Sequence, residues 1–201
     1  MSSHITAPDR EHLFQQVTHL ALSEAAALLS ASRSSVELRI RLQSCRHDGW
    51  EALLSLEQGD APLFCVSQTL RSPETGVMLW LCEENDARRL LLHLLGEDLS
   101  LGVMTEMEEE ALVEIGNRLI NRCLEHHAQL VPTIDGARPP RLWRGPMREL
   151  RTLLPQPRLH DEATRAELEF ELGSSSLRGW LLWCGEPWRL AGPRPAGESA
   201  A

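Results

Sequence analysis

Lysine is absent from the 201-residue chain, and all twenty basic residues are arginines. That absence excludes a phosphate-gripping loop lysine, a Schiff-base lysine and lysine-dependent kinase chemistry. Tyrosine is missing as well, so none serves as acid, base or nucleophile. Positive charge is in deficit: twenty basic against twenty-nine acidic residues give a formal charge of −9, the wrong sign for a general nucleic-acid binder. The five cysteines (Cys45, Cys65, Cys82, Cys123, Cys184) are odd in number and contain no C-x-x-C pair. That usage argues against a disulfide framework or a zinc site and suits a reducing cytoplasm. No basic leader precedes an apolar run, and apolar stretches such as Val77 to Cys82 are too short to span a bilayer. With 42% hydrophobic and 24% charged residues, the composition predicts a soluble cytoplasmic protein with a real core and no membrane insertion.

Helical spacing of Leu13, Val17, Leu20, Ala21, Ala25 and Leu28 predicts a helix from about Arg10 to Ser30. Val36 to Gln43 alternates as a half-buried strand. Leu53–Leu56 and Leu63–Ser67 read as further strands, and Ser72 to Gly76 is turn chemistry. The run Val77–Cys82 lacks polar alternation and reads as a central strand covered on both faces. A helix from Asn85, its expected N-cap, to Leu95 ends at Gly96. Thr105 and Glu108 form a capping-box pattern opening a long helix to about Leu130. Val131-Pro132 and Pro139-Pro140 mark a loop or short strand, and Pro146–Leu154 reads as a short helix. Ala166–Leu172 and Leu177–Cys184 then form a hairpin around Gly173 to Ser176, and the Pro/Gly/Ala-rich tail 186–201 is expected to be flexible.

Gly76-Val-Met-Leu-Trp-Leu-Cys resembles Gly179-Trp-Leu-Leu-Trp-Cys, with Trp80 and Trp183 in register 103 positions apart. Each segment follows a turn, and each half opens with a long helix. The pattern implies duplication of an αβ unit. A single α/β domain over residues 1–185 is expected, with half one at about 9–97, half two at about 103–185 and a mostly antiparallel sheet.

Chemistry concentrates on the second long helix. At about 100° per residue, Ala111, Leu112, Ile115, Leu119 and Cys123 share an apolar face. Glu110, Glu114, Asn117 and Asn121 fall within roughly 60° of one another on a different face. Two carboxylates and two carboxamides thus line one row of a rigid rod. A carboxylate pairs with a partner's cation, and a carboxamide both donates and accepts, so it can hold a water. A solvated helix face is the ordinary meaning of such a row.

The stretch Asp86-Ala-Arg-Arg-Leu-Leu-Leu-His-Leu-Leu-Gly96, followed by Glu106 to Asn117, resembles the CheC/CheX/FliY family of chemotaxis phosphatases. That family's signature is Asp or Ser, three residues, Glu, two residues, Asn, then a proline about twenty-two residues later. Glu114 and Asn117 match, Pro139 stands at the expected distance, and Glu110 departs from the Asp or Ser of the first position. The strong match covers about fifty-five residues. The resemblance implies a pseudo-two-fold CheC-like α/β fold, a mostly antiparallel sheet with two long helices on one face. In the first half, Gln16 and His19 stand 98 residues before Glu114 and Asn117, where the family would place Glu and Asn, so the first site reads as lost.

The implied substrate is the aspartyl phosphate of a CheY-like response regulator, which supplies its own Mg²⁺ and an active-site lysine. No cofactor is intrinsic to the chain. Glu114 would pair with that lysine, and Asn117 would orient the attacking water. Glu110 and Asn121 would contact the partner, or in the case of Glu110 only complement the helix dipole. A chemoreceptor-modifying protein such as CheD is a further partner of the kind the resemblance brings in. The alternative is a non-catalytic adaptor that binds a regulator, receptor complex or flagellar switch component through the same face.

Other clusters carry weaker signals. Arg141, Arg144, Arg148 and Arg151 are spaced three, four and three, so a helix there would gather them on one side as a docking patch for an acidic partner. An ordinary solvated face accounts for the same spacing. Glu125-His126-His127 is no metal site, because adjacent helical histidines point about 100° apart. Gln16 and His19 read as a surface hydrogen-bonded pair, Cys123 and Cys184 as core, and Trp180, Trp183 and Trp188 as partly buried with one exposed.

Overall fold

The computed structural model describes residues 7–33, 37–49, 61–70, 76–96, 104–129, 137–150 and 162–185. Helix α1 spans Ala7–Arg33, followed by strands β1 (Leu38–Gly49), β2 (Pro62–Thr69) and β3 (Val77–Glu83). Helices α2 (Glu84–Leu95) and α3 (Glu106–Ala128) come next, then β4 (Arg141–Pro146), a single helical turn at Met147–Leu150, β5 (Glu162–Leu172) and β6 (Ser175–Cys184). The expected strand Leu53–Leu56, the loop at Val131-Pro132, Arg151, Trp188 and the tail lie outside the described residues, as does most of the turn before Gly76.

One six-stranded sheet runs in the order β1-β5-β6-β3-β2-β4, with every neighbouring pair antiparallel. The order is its own mirror when β1 exchanges with β4, β2 with β5 and β3 with β6. The two equivalent strands β3 and β6 pair at the centre, with Trp80 opposite Leu181 and Met78 opposite Trp183. Each half lends its first strand to the other, so β1 lies beside β5 and β4 beside β2. The halves therefore share one hydrogen-bonded sheet, since neither keeps its own first strand.

Alternation along the strands sorts side chains to two faces. Phe64, Val66, Met78, Trp80, Leu168, Phe170 and Trp183 pack with buried residues of all three helices in the principal core. The opposite face buries Leu63, Cys65, Leu79, Leu81, Trp180 and Leu182 beside Met147 and Leu150. Trp180 and Trp183 are thus both buried, on opposite sides of the sheet. Val77 to Cys82 is buried residue by residue, as an unalternating central strand requires. Next to it, the Gly173-Ser174 turn joins β5 to β6, with Gly173 at φ 59.

Three local expectations are corrected. Along α1 the buried stripe is Phe14, Thr18, Ala21, Leu22, Ala25, Ala26 and Leu29, while Leu20 and Leu28 are 56% and 38% exposed. Apolar residues ring most of this helix, so spacing alone leaves its rotational phase open. The N-cap of α2 is Glu83, whose side chain makes no cap hydrogen bond, and Asn85 lies inside the helix. Its C-terminal Gly96 does adopt the left-handed conformation, its N–H donating to the Leu92 carbonyl.

The third correction concerns the arginines. Arg141 and Arg144 belong to strand β4, which pairs with β2 from Arg141 opposite Ser67 to Pro146 opposite Pro62. Three residues apart in a strand means opposite faces, so they do not share a side. Arg144 forks onto Glu84 at 2.7 Å through Nη2 and lies 5.6 Å over the Phe64 ring. Burial works to raise the pKa of the Glu84 carboxyl, yet hydrogen bonds from Arg144 and Arg88 hold it below the usual range. Arg148 stands in the helical turn that follows β4.

Candidate functional site

Helix α3 carries the polar row. Its start is set by the capping box: Thr105 Oγ1 accepts from the Glu108 N–H, and the Glu108 carboxylate accepts from the Thr105 N–H. Leu112, Ile115, Gly116, Leu119, Ile120, Cys123, Leu124 and His127 are buried beneath it, close to the expected stripe, while Ala111 is half-buried. The helix ends at Ala128, two residues before the expected Leu130.

Gly116 sets how close the helix lies to the sheet. A Cβ built there would stand 2.6 Å from Val66 Cβ on β2, a separation that packed atoms do not tolerate. Glycine lets the α3 backbone rest directly on that valine. Strand periodicity puts Gln68 on the same face as Val66, and helix periodicity puts Asn117 next to Gly116. The close approach therefore brings the two carboxamides together, with Gln68 Nε2 donating to Asn117 Oδ1 at 2.9 Å. Asn121, one turn along, donates from Nδ2 to the same oxygen at 2.9 Å.

The row thus divides into two halves. Glu110 and Glu114 are exposed, whereas Asn117 and Asn121 are half-buried at the seam between α3 and β2. Glu114 accepts from Arg118 Nε at 2.6 Å, an i,i+4 ion pair with both groups open to water. Such a pair contributes little and gives way readily to a better-placed cation. Chemically, the face offers one displaceable carboxylate and one carboxamide whose oxygen is already engaged twice.

Pro139 belongs to the segment that enters β4. Ala137 bridges to Leu70, and the Arg138 N–H donates to the Thr69 carbonyl at 2.8 Å. The proline segment and Asn117 are consequently both tied to the same end of β2, through Thr69 and Gln68 respectively.

On α1, Gln16 and His19 are both exposed, and Gln16 bonds to His12 at 2.9 Å rather than to His19. Both histidines lie within helical reach of Gln16, His12 four residues before it and His19 three residues after. His126 and His127 diverge as adjacent helical residues must. His126 reaches Glu24 at 3.0 Å, and this hydrogen bond holds the Glu24 carboxyl below its usual range. His127 is fully buried, bonded to Thr18 at 3.1 Å and stacked on Phe14. Among the described residues no group of three or more His, Cys, Asp or Glu gathers to hold a metal ion. Burial pushes the Cys123 thiol up to about 12 and those of Cys65 and Cys82 higher still, so none is a thiolate at neutral pH.

Two participants join the row, and one of them, Gln68, escapes a reading confined to α3. Gln68 is 3% exposed, a polar side chain in phase with Phe64 and Val66 on an apolar strand face. A carboxamide at a position whose alternation asks for an apolar residue is the signal that finds it. Arg118 is legible from its four-residue spacing to Glu114.

No protein-family model and no curated protein matches the chain by sequence. Solved structures do match. FliY from Thermotoga maritima superposes with a TM-score of 0.71 at 14% identity, covering 89% of this chain and 91% of that one. A FliG–FliM complex from H. pylori gives 0.61 at 16% identity, over 90% and 94% of the two chains. A CheX–CheY–BeF3–Mg complex from Borrelia burgdorferi gives 0.51 at 13%, over 83% and 96%. The molecule is therefore an α/β protein of the CheC/CheX/FliY type in its fold: a six-stranded antiparallel sheet with its helices packed in one core. No helix among the described residues is long and apolar enough to cross a membrane.

Proposed function

We propose that the chain is an aspartyl-phosphate phosphatase of chemotaxis signalling, acting on a CheY-like response regulator through the exposed row of α3. The observation that carries this reading is Asn117: its oxygen is held by Gln68 and Asn121, while its Nδ2 meets no partner among the described residues. Glu114 stands one turn earlier on the same row, in water and, among the described residues, paired with a neighbouring arginine whose place another cation can take. The signature spacing and the shared fold with CheX, which forms a complex with CheY in the matched structure, support the same assignment.

In this mechanism Glu114 leaves Arg118 for the regulator's lysine and docks α3 over the acyl phosphate. Mg²⁺ bound by the regulator neutralises charge on the phosphoryl oxygens. Asn117 positions a water in line. The water oxygen forms the new bond to phosphorus, the bond from phosphorus to the aspartyl oxygen breaks, and its electron pair leaves as carboxylate. The water's proton passes to the phosphate released. Such transfer needs positioning and charge stabilisation rather than a covalent intermediate, which suits a chain without lysine or tyrosine.

The test is decay of a phosphorylated CheY-like regulator from the same genome, with Mg²⁺, beside wild type, Asn117→Ala and Glu114→Ala. Acceleration by wild type, reduced on the order of 100-fold in Asn117→Ala, is expected from loss of one positioned donor. Glu114→Ala should act mainly through weaker docking. Equal decay with and without wild type would sink the phosphatase.

A second reading has its own observations. Glu110 stands where the family signature has Asp or Ser, the α1 positions carry Gln16 and His19, and the fold is shared with FliM, which forms a complex with FliG in the matched structure. An adaptor would bind its partner through α3 without removing phosphate. Binding that persists in Asn117→Ala, with no acceleration by wild type, identifies it.

A further inference from the structure

We infer that Gln68 is a positioning residue that makes Asn117 a hydrogen-bond donor only. This rests on the proposed role of Asn117 and deepens it. A carboxamide oxygen has two lone pairs, and both on Asn117 Oδ1 are occupied, one by Gln68 Nε2 and one by Asn121 Nδ2. What remains is the Nδ2 amide, so Asn117 presents two N–H groups and no acceptor.

The direction of this small chain follows from burial at its far end. Gln68 is 3% exposed, and its Oε1 is buried without a partner among the described residues. Reversing all three carboxamides would let Gln68 accept from Asn117 Nδ2 and turn Asn117 Oδ1 outward. It would also put the Gln68 NH₂ where Oε1 now sits, leaving buried hydrogens unpaired in place of one acceptor. Orphaned donors are the costlier outcome. The inward polarity is thereby selected by the sheet, since Gln68 is fixed on β2 while Asn117 and Asn121 ride on α3.

The chemical consequence separates two roles that a free asparagine could combine. A donor-only Asn117 hydrogen-bonds a lone pair of the attacking water or a phosphoryl oxygen and does not accept the water's proton. The second water lone pair is left to attack phosphorus, and the proton leaves to the phosphate itself.

The experiment uses the full chain with Gln68→Met and Gln68→Glu, each checked for fold by circular dichroism. Methionine keeps the volume and removes both hydrogen-bonding groups. It should lower kcat on the order of 10-fold with KM for the phosphorylated regulator unchanged, because Asn117 is then held by Asn121 alone and one lone pair of its oxygen is released. Glutamate distinguishes positioning from packing. As a carboxylate it only accepts, so it draws Asn117 Nδ2 inward, whereas the protonated acid still donates through its O–H. Gln68→Glu should be more active at pH 6 than at pH 8 relative to wild type.

Side-chain amide NMR supplies a readout independent of turnover. The Asn117 NH₂ resonances, identified by their loss in Asn117→Asp, should shift in both variants. If wild type does not accelerate decay, the phosphatase reading fails while shifted Asn117 resonances still uphold Gln68 as the group that orients it. Unshifted resonances in a folded Gln68→Met protein, or wild-type kcat in that variant, would overturn the inference.

Discussion

Gly116→Ala tests the contact on which the whole site depends. The new Cβ would lie 2.6 Å from Val66 Cβ and 2.7 and 2.8 Å from its two methyls. Val66 is fully buried and β-branched, so it cannot swing aside as a long flexible side chain would. Restoring a separation of 3.4 Å requires α3 to lift from β2 by roughly 0.8 Å, since close-packed interiors transmit strain rather than absorb it. The same lift stretches the adjacent Gln68–Asn117 hydrogen bond from 2.9 Å to about 3.7 Å, beyond bonding range.

Two terms oppose each other in the stability of this variant. Alanine in a helix interior gains about 1 kcal/mol over glycine, and overpacking a core costs about 1–3 kcal/mol. A net loss between zero and about 2 kcal/mol follows, lowering the melting temperature by several degrees at most. The local effect is larger, because a hydrogen bond either keeps its geometry or does not. Thermal melts and the Asn117 side-chain amide resonances should be recorded together, with turnover of the phosphorylated regulator as the third readout. A small change in melting beside displaced Asn117 resonances and reduced turnover is expected. An alanine variant with wild-type resonances and turnover would refute the claim that this close approach builds the site.

His127 makes stability depend on acid. Burial, with a smaller contribution from His126, lowers its pKa to about 3 in the folded chain, against about 6.5 when unfolded. The unfolded chain then binds a proton that the native state refuses, so stability falls as pH drops from 6.5 toward 3. The loss amounts to about 2 kcal/mol at pH 5, and urea melts at pH 7.5 and 5 should show it reduced in His127→Gln; equal losses in the two proteins would count against it. Thr105→Ala removes the capping box of α3 and should cost about 1 kcal/mol, with Glu108→Ala similar and the double variant less than additive. Strict additivity in that thermal-melt cycle would mean the two side chains act separately.

The duplication was legible in the sequence because equivalent strands carry the same pattern, Trp80 and Trp183 each set within an apolar run that has to lie in the middle of a sheet. Helix α3 was legible for a local reason, since a capping box and a 3.6-residue apolar period need nothing beyond the segment itself. The row Glu110, Glu114, Asn117 and Asn121 follows from the same period. Local chemistry therefore determined where the helix starts and which way its polar residues face.

Only the tertiary structure decided what those residues touch. Arg141 and Arg144 have a spacing that suits a helix, but pairing with β2 makes their segment an edge strand and sends them to opposite faces. The phase of α1 was likewise set by the surfaces it meets, because its apolar residues encircle it. Gln68 lies 49 residues from Asn117, and their hydrogen bond exists because Gly116 allows a helix to rest on Val66. Periodicity is a property of neighbours along the chain and so survives in the sequence. A contact between a strand and a helix depends on how closely two backbones approach, and that distance is fixed only when the whole core packs.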